Sequence, residues 1–139
     1  MRNNNGSWKL IEIEHTADAA IMVSADDLKS LFLAAATGMY SIAGAQYDTS
    51  GRKLKKELNI SEIDSETLLV SFLNELLFLL ENGIFFNEFN LEFQAGELKG
   101  TLRGFPVKSI EREIKAVTFN NLQIKKTNEI FSTQIVFDI

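Results

Sequence analysis

The sequence predicts an α+β domain in which two main helices pack against an antiparallel or mixed β-sheet in two layers. Helical patterns at residues 28–42 and 65–80 are set among segments that alternate in polarity with the period of β-strands. The predicted order is β-β-α-β-α-β-β-β-β. It lacks the regular strand–helix alternation and glycine-rich turns of nucleotide-binding α/β folds. With 139 residues, 45% of them hydrophobic, the chain can form one domain with its own core.

Both helices have local start signals. Asp26 and Asp27 precede the first helix and Asp64 or Ser65 the second, where a carboxylate can accept hydrogen bonds from free N–H groups. Gly44 follows the first apolar pattern and is expected to end that helix. The second helix has a wide apolar stripe, which predicts burial against a sheet and consists of Leu68, Leu69, Phe72, Leu73, Leu76, Leu77 and Leu80.

Alternating segments elsewhere predict the strands. They cover residues 8–14, 21–23, 53–60, 85–93, 98–105, 122–126 and 130–138, and residues 116–118 are expected to be short and extended. In the last strand, the alternation places Asp138 on the face opposite to Phe137 and Ile139. Residues 1–8 are polar and are expected to form a flexible N-terminal segment, so that the domain proper is residues 9–139.

The composition restricts the chemistry. There is no cysteine, and His15 is the only histidine, which excludes thiolate chemistry and a structural zinc site. Any metal site must use oxygen ligands, which favours Ca²⁺, Mg²⁺ or Mn²⁺. The net charge of −5 argues against direct RNA binding, which usually requires a basic face. No signal peptide or membrane-length apolar run is recognisable, which predicts a cytoplasmic protein without a membrane partner.

Two acidic positions are candidates for a site, and each has an ordinary alternative. Asp18 ends the polar stretch 14–18 between two predicted strands, where it can belong to a site or cap a simple turn. Asp138 stands beside the α-carboxylate of Ile139, where the two charges can bind a cation or belong to a frayed, solvated end. No nucleophile turn accompanies His15, so a Ser-His-Asp triad is unsupported.

Four segments resemble the archease family. Residues 14–18, Glu-His-Thr-Ala-Asp, resemble its D/E-H-T-A-D motif, and residues 68–77 resemble its second helix. Residues 114–119, Ile-Lys-Ala-Val-Thr-Phe, resemble its K-A-V/I-T-Y segment, and residues 135–139 its V-F-D-I/V ending. The sequence departs from the pattern at Phe119-Asn120-Asn121, where many members have Tyr-His-Asp.

The resemblance implies a divalent metal site at particular residues of this chain. Its expected ligands are Asp18, Asp138 and the α-carboxylate of Ile139. Outer hydrogen-bond partners of these ligands, or contacts with a partner protein, are expected at Glu14, His15 and Lys115.

The resemblance also implies a function. Archeases are non-enzymatic accessory proteins that activate a GTP-dependent RNA-splicing ligase, which joins 3′-phosphate and 5′-hydroxyl ends in tRNA splicing. They promote guanylylation of the ligase and multiple turnover. Two alternatives are a chaperone-like adaptor of a tRNA-modifying methyltransferase and a small metal-dependent hydrolase whose carboxylates activate water.

Overall fold

The computed structural model describes residues 2–3, 6–14, 18–119 and 122–139. The helices are α1 (Leu28–Ala43) and α2 (Ser65–Glu81). The strands are β1 (Arg2–Asn3), β2 (Gly6–Glu14), β3 (Asp18–Ala25), β4 (Gln46–Tyr47), β5 (Leu54–Ser61), β6 (Ile84–Gln94), β7 (Glu97–Ser109), β8 (Ala116–Thr118), β9 (Lys125–Thr127) and β10 (Ile130–Asp138). The α+β class expected from the sequence is confirmed, and within the described residues no helix is long and apolar enough to cross a membrane.

The helices begin where their carboxylates predict. The Asp27 side chain accepts a hydrogen bond from the backbone N–H of Ser30 at 2.7 Å, and the Asp64 side chain accepts one from Thr67 at 2.8 Å. Gly44 ends α1 with φ 59°, a left-handed conformation that favours glycine. These local bonds satisfy N–H groups that a helix leaves without an internal partner.

The strands form two antiparallel sheets. The first has the order β1-β2-β3-β10-β8, and β9 pairs with β10 beside β8. The second has the order β4-β7-β5, with β6 also paired to β7. Strand β10 is therefore a central strand of the first sheet, although it is the last element in the chain.

Both helices contact both sheets. Helix α1 packs on β2 and β3 of the first sheet and on β6 of the second, whereas α2 packs on β5 and β6 and reaches β8. Phe32 of α1 shows the connection, because its ring lies 5.4 Å from that of Phe72 in α2 and 4.9 Å from that of Phe93 in β6. The core is thus a helical layer shared by two sheets, and each sheet has an opposite face that points to solvent.

Tyr40 adds a polar link between α1 and β6. Its hydroxyl oxygen accepts a hydrogen bond from the backbone N–H of Phe86 at 3.2 Å, and its ring stacks on that of Phe85 at 4.0 Å. Burial raises the pKa of Tyr40 well above its ordinary value. The phenol therefore remains neutral throughout the physiological range.

Some strand boundaries differ from the sequence-based expectations. Strands β1 and β4 were not expected, and the segment expected to be flexible, residues 1–8, contains β1 and the start of β2. Trp8 at its end is buried in the core. The expected strand 122–126 is reduced to β9, because the N–H of Ile124 donates to the carboxylate of Glu66 at 3.0 Å instead of to a strand.

Candidate metal centre

The two acidic side chains singled out from the sequence lie directly opposite each other. Asp18 is the first residue of β3, Asp138 is the last of β10, and the antiparallel register pairs the two positions. Paired residues in neighbouring strands project to the same face of a sheet. The structure therefore brings together two carboxylates that are distant along the chain.

The hydrogen bonds of β10 indicate that this pair is a close one. The Asp138 carbonyl oxygen accepts the N–H of Lys115 at 2.7 Å, and the Val136 carbonyl oxygen accepts the Thr118 hydroxyl at 3.2 Å. At these positions β10 thus directs its backbone polar groups towards β8 and away from β3. On the side of β3, Asp138 and Asp18 then form a pair of the non-hydrogen-bonded kind, in which Cβ atoms lie roughly 4.5–5.5 Å apart.

The electrostatics of the pair are unfavourable without a counter-charge. Asp138 is exposed and Asp18 is half-buried, and among the described residues neither forms an ion pair with a basic side chain. Like charges at directly opposed positions destabilise a sheet. A divalent cation would remove that repulsion, and carboxylate oxygens are the ligands that hard cations prefer. The donor set therefore fits Ca²⁺, Mg²⁺ or Mn²⁺.

A third side-chain ligand is not available in the described part of the chain, where no group of three or more Asp, Glu, His or Cys side chains is assembled. The third ligand expected from the sequence, the α-carboxylate of Ile139, is a main-chain group next to Asp138. The Ile139 side chain packs against the core, so this end of the chain is docked. That packing argues against the frayed end considered above.

The structure describes the other expected site residues to different extents. The exposed Lys115 is tied to Asp138 through its backbone N–H. The backbone of Glu14 pairs with Ala19, the neighbour of Asp18, and its side chain lies outside the described part of the structure. His15 also lies outside the described residues, as do Asn120 and Asn121 of the segment that departs from the family pattern.

A cavity of about 640 Å³ lies between α1 and β6 and is separate from the aspartate pair. Aromatic residues such as Trp8, Tyr40 and Phe85 form much of its lining, and neither Asp18 nor Asp138 belongs to the lining. The two carboxylates instead lie on an open sheet face. An open face suits contact with a large partner better than enclosure of a small substrate.

Sequence reasoning missed the extent of β3, and with it the setting of Asp18. The sequence placed Asp18 in a break between strands, whereas it begins β3 and shares its register with Asp138. The signal was present in the alternation from Asp18 to Ala25, in which Ala19, Ile21 and Val23 are buried. The run is rich in alanine, which is depleted in strands and so weakened that signal.

Fold and site together define a small α+β protein with two helices packed against two antiparallel sheets and an acidic pair where the ends of two strands meet. Comparison with known proteins makes this class specific. Residues 11–139 match the model of the Archease protein family (MTH1598/TM1083), and the chain belongs to the archease family.

Individual relatives agree with this assignment. The chain is 36% identical to the archease of Methanosarcina acetivorans, over 91% of this chain and 93% of that protein. It is 33% identical to the archease of Archaeoglobus fulgidus, over 91% and 96% of the two chains. The crystal structure of a Thermotoga maritima archease, described as a possible chaperone, superposes with a TM-score of 0.70 at 26% identity, covering 91% and 94%. A solution structure from Methanobacterium thermoautotrophicum has the same fold, with a TM-score of 0.66 at 23% identity and coverage of 95% and 98%.

Proposed function

We propose that this archease is a non-enzymatic, metal-binding accessory protein that activates a GTP-dependent RNA-splicing ligase. The ligase would be the enzyme that joins 3′-phosphate and 5′-hydroxyl RNA ends in tRNA splicing. Activation would consist of promoting guanylylation of the ligase and its repeated turnover. Family membership supports this role, and the single structural observation that carries it is the opposition of Asp18 and Asp138 on an open sheet face.

The proposed ligands of the cation are Asp18, Asp138 and the α-carboxylate of Ile139. A bound Ca²⁺, Mg²⁺ or Mn²⁺ would supply positive charge at an edge that is otherwise acidic. The protein residues hold the ligands in place. The backbone N–H of Lys115 donates a hydrogen bond to the Asp138 carbonyl oxygen and fixes its position. The side chain of Ile139, the residue after Asp138, packs against the core and holds its own backbone in place.

We propose that the remaining polar residues of this edge act on the ligands or on the ligase and do not bind the cation themselves. Glu14 and His15 belong to the segment that leads into Asp18, and we assign them to hydrogen bonds with the ligands or to the ligase surface. Lys115 has an exposed side chain next to the acidic pair, which suits contact with the ligase. Direct binding of the RNA is not part of the proposal, because the net charge of −5 opposes it.

The experiment is RNA ligation by limiting cognate ligase with GTP and a divalent ion. We expect the unmodified protein to convert a single-turnover reaction into many turnovers. Asp138→Asn and Asp18→Asn should lose most of this stimulation, because each removes one proposed anionic ligand. Glu92→Gln is the matched control, since Glu92 is an exposed carboxylate on the second sheet.

Each outcome has a defined meaning. Stimulation by the unmodified protein and by Glu92→Gln, but not by the aspartate variants, supports an activator that uses the acidic pair. Equal stimulation by all four proteins removes the metal site from the function. No stimulation by any of them removes the activator role.

A chaperone-like adaptor is the second candidate, because the similar Thermotoga maritima protein is described as a possible chaperone. Its client could be a tRNA-modifying methyltransferase. This function needs no cation at Asp18 and Asp138. Suppression of methyltransferase aggregation that is unaffected by a chelator would favour it over ligase activation.

A further inference from the structure

The face of the first sheet that points away from the helices changes in charge from one end to the other. At one end, a cross-strand row crosses four strands and consists of Lys9, Ser24, Ser132 and Lys125, paired in that order. Both lysines are exposed, and within the described residues neither takes part in an ion pair. This end of the face is cationic and rich in hydroxyl groups.

The middle of the same face is mainly apolar, with the exposed Gln134 opposite Met22. Ile11 lies opposite Met22, and Ile13 lies opposite Ala20, which is itself opposite Val136. Ile11, Met22 and Ile13 are 57%, 45% and 38% exposed. A contiguous apolar patch with polar residues at its rim is typical of a surface that binds another molecule.

The far end of the face is the acidic pair. Asp18 and Asp138 lie six residues along their strands from the serines of the cationic row, a distance of about 20 Å at the rise of a β-strand. The face thus runs from positive through apolar to negative. We call it the graded face, made of the cationic row, the apolar patch and the Asp18–Asp138 pair.

We propose that the graded face is the docking surface for a protein partner whose own surface has the reverse polarity. The partner would place acidic side chains at Lys9 and Lys125, apolar side chains at Met22, and a basic group at the aspartate end, where the three proposed carboxylate ligands leave a net negative charge even with a divalent cation bound. The proposal rests on the proposed function in taking the RNA-splicing ligase as that partner. Its support is independent of the metal, because it comes from the charges and exposed apolar groups of the sheet.

The size of the face favours a transient complex over a stable dimer of this chain. Four strands at their usual spacing and six residues of rise give roughly 300 Å². A standard stable interface covers about 800 Å² on each partner. A face of this size alone suits a partner that binds and leaves, as repeated activation of a limiting ligase requires.

Charge also favours a protein over a nucleic acid as the occupant. A phosphate backbone lying along the face would be attracted at Lys9 and Lys125 and repelled at Asp18 and Asp138. The apolar patch between the two ends offers nothing to a phosphate and excludes water from a protein contact. A protein surface can match all three parts at once.

The test measures binding of the protein to immobilised cognate ligase together with the concentration that gives half-maximal stimulation of ligation. Met22→Asp places a charge in the apolar patch, and Lys125→Glu reverses a charge in the cationic row. Their matched controls are Ile63→Asp, at an exposed isoleucine before α2, and Lys56→Glu, on the second sheet. All four positions are exposed, and a thermal melt checks that each variant is folded.

We expect Met22→Asp and Lys125→Glu to raise both the dissociation constant and the half-maximal concentration by roughly tenfold. Maximal stimulation at saturation should remain, because the acidic pair is intact. The controls should bind like the unmodified protein. The charged ends also predict that affinity falls as salt is added.

Other outcomes separate this proposal from the proposed function. If the unmodified protein stimulates ligation and the Met22→Asp and Lys125→Glu variants bind the ligase as tightly as it does, the docking surface is refuted and the activator role remains. Binding without stimulation, weakened by these two variants, would support the surface and overturn the activator role. Binding to single-stranded RNA that these variants weaken, with no binding to the ligase, would replace the protein partner by a nucleic acid.

Discussion

Two aspartates that face each other across a pair of strands are a liability in a protein without a cation. Neutralising one of them should stabilise the metal-free protein, because it removes a cross-strand repulsion. For Asp138→Asn we expect a gain of about 0.2–1 kcal/mol in the free energy of unfolding. The same change should abolish the rise in melting temperature that Ca²⁺, Mg²⁺ or Mn²⁺ gives the unmodified protein.

Thermal melts with chelator and with each ion measure both effects. Glu92→Gln serves again as control and should keep the full response to the cation. A metal-free Asp138→Asn protein that melts lower than the unmodified one would contradict the repulsion argument. A retained cation response would contradict the assignment of Asp138 as a ligand.

At the residue scale, the sequence could name the two aspartates but not their relation. The resemblance pointed to Asp18 and Asp138, and both positions are where strands begin or end. Their direct opposition depends on the register of β3 on β10. That register is set by the burial of residues from both strands, such as Ile21 and Ile135, on one face of the sheet. Because the two strands are far apart along the chain, the local sequence around either aspartate does not contain this information.

The helices show how local signals determine an element. The Thr67 side chain and backbone N–H donate hydrogen bonds to the Asp64 carboxylate and hold its pKa below the ordinary value. A carboxyl with a depressed pKa in the folded state stabilises the fold above its unfolded pKa, and that contribution is lost as the pH falls through the folded pKa. The cap of α2 should therefore weaken in acid.

We expect Asp64→Ala to lower the stability at neutral pH, because it removes the cap of α2. The difference from the unmodified protein should begin to narrow below about pH 4, where the carboxyl of the unfolded state becomes protonated, and should be smallest once the pH has fallen through the lower pKa of the folded state. Denaturant unfolding at a series of pH values measures this. A difference that stays constant down to pH 2 would show that the lost capping bond does not depend on the ionised carboxylate.

Elements held by distant groups were less accessible to sequence reasoning. Both helix starts were predicted within a residue, since Asp27 and Asp64 act on their own first turns. The strand expected at residues 122–126 shortened, because Glu66 of α2 takes the N–H of Ile124. No pattern near residue 124 indicates that competition.

At the scale of the whole molecule, the shared helical layer joins the two sheets into one cooperative unit. Phe32 is fully buried and touches α2 and β6 through Phe72 and Phe93. Phe32→Ala should lower the free energy of unfolding by about 3–5 kcal/mol. Phe78→Ala, at a 58% exposed position of α2, should change it by less than about 0.5 kcal/mol.

Equilibrium unfolding by denaturant, followed by both fluorescence and circular dichroism, measures the two changes. The transitions of each variant should coincide between the probes, as in a single cooperative unit. Separate transitions in Phe32→Ala would mean that the two sheets unfold independently. The division of the strands into two sheets was itself not predicted, because it depends on which distant strands pair with the central β10.

The pairing of residue 18 with residue 138 also has a kinetic consequence. It closes a loop that contains almost the entire domain, and closing so long a loop is entropically costly compared with forming local hairpins and helices. We expect this contact to form late, after the main barrier to folding has been crossed. A cation held by the two aspartates would therefore slow unfolding and leave the folding rate nearly unchanged. The ion would extend the lifetime of molecules that have already folded, without helping new ones to form.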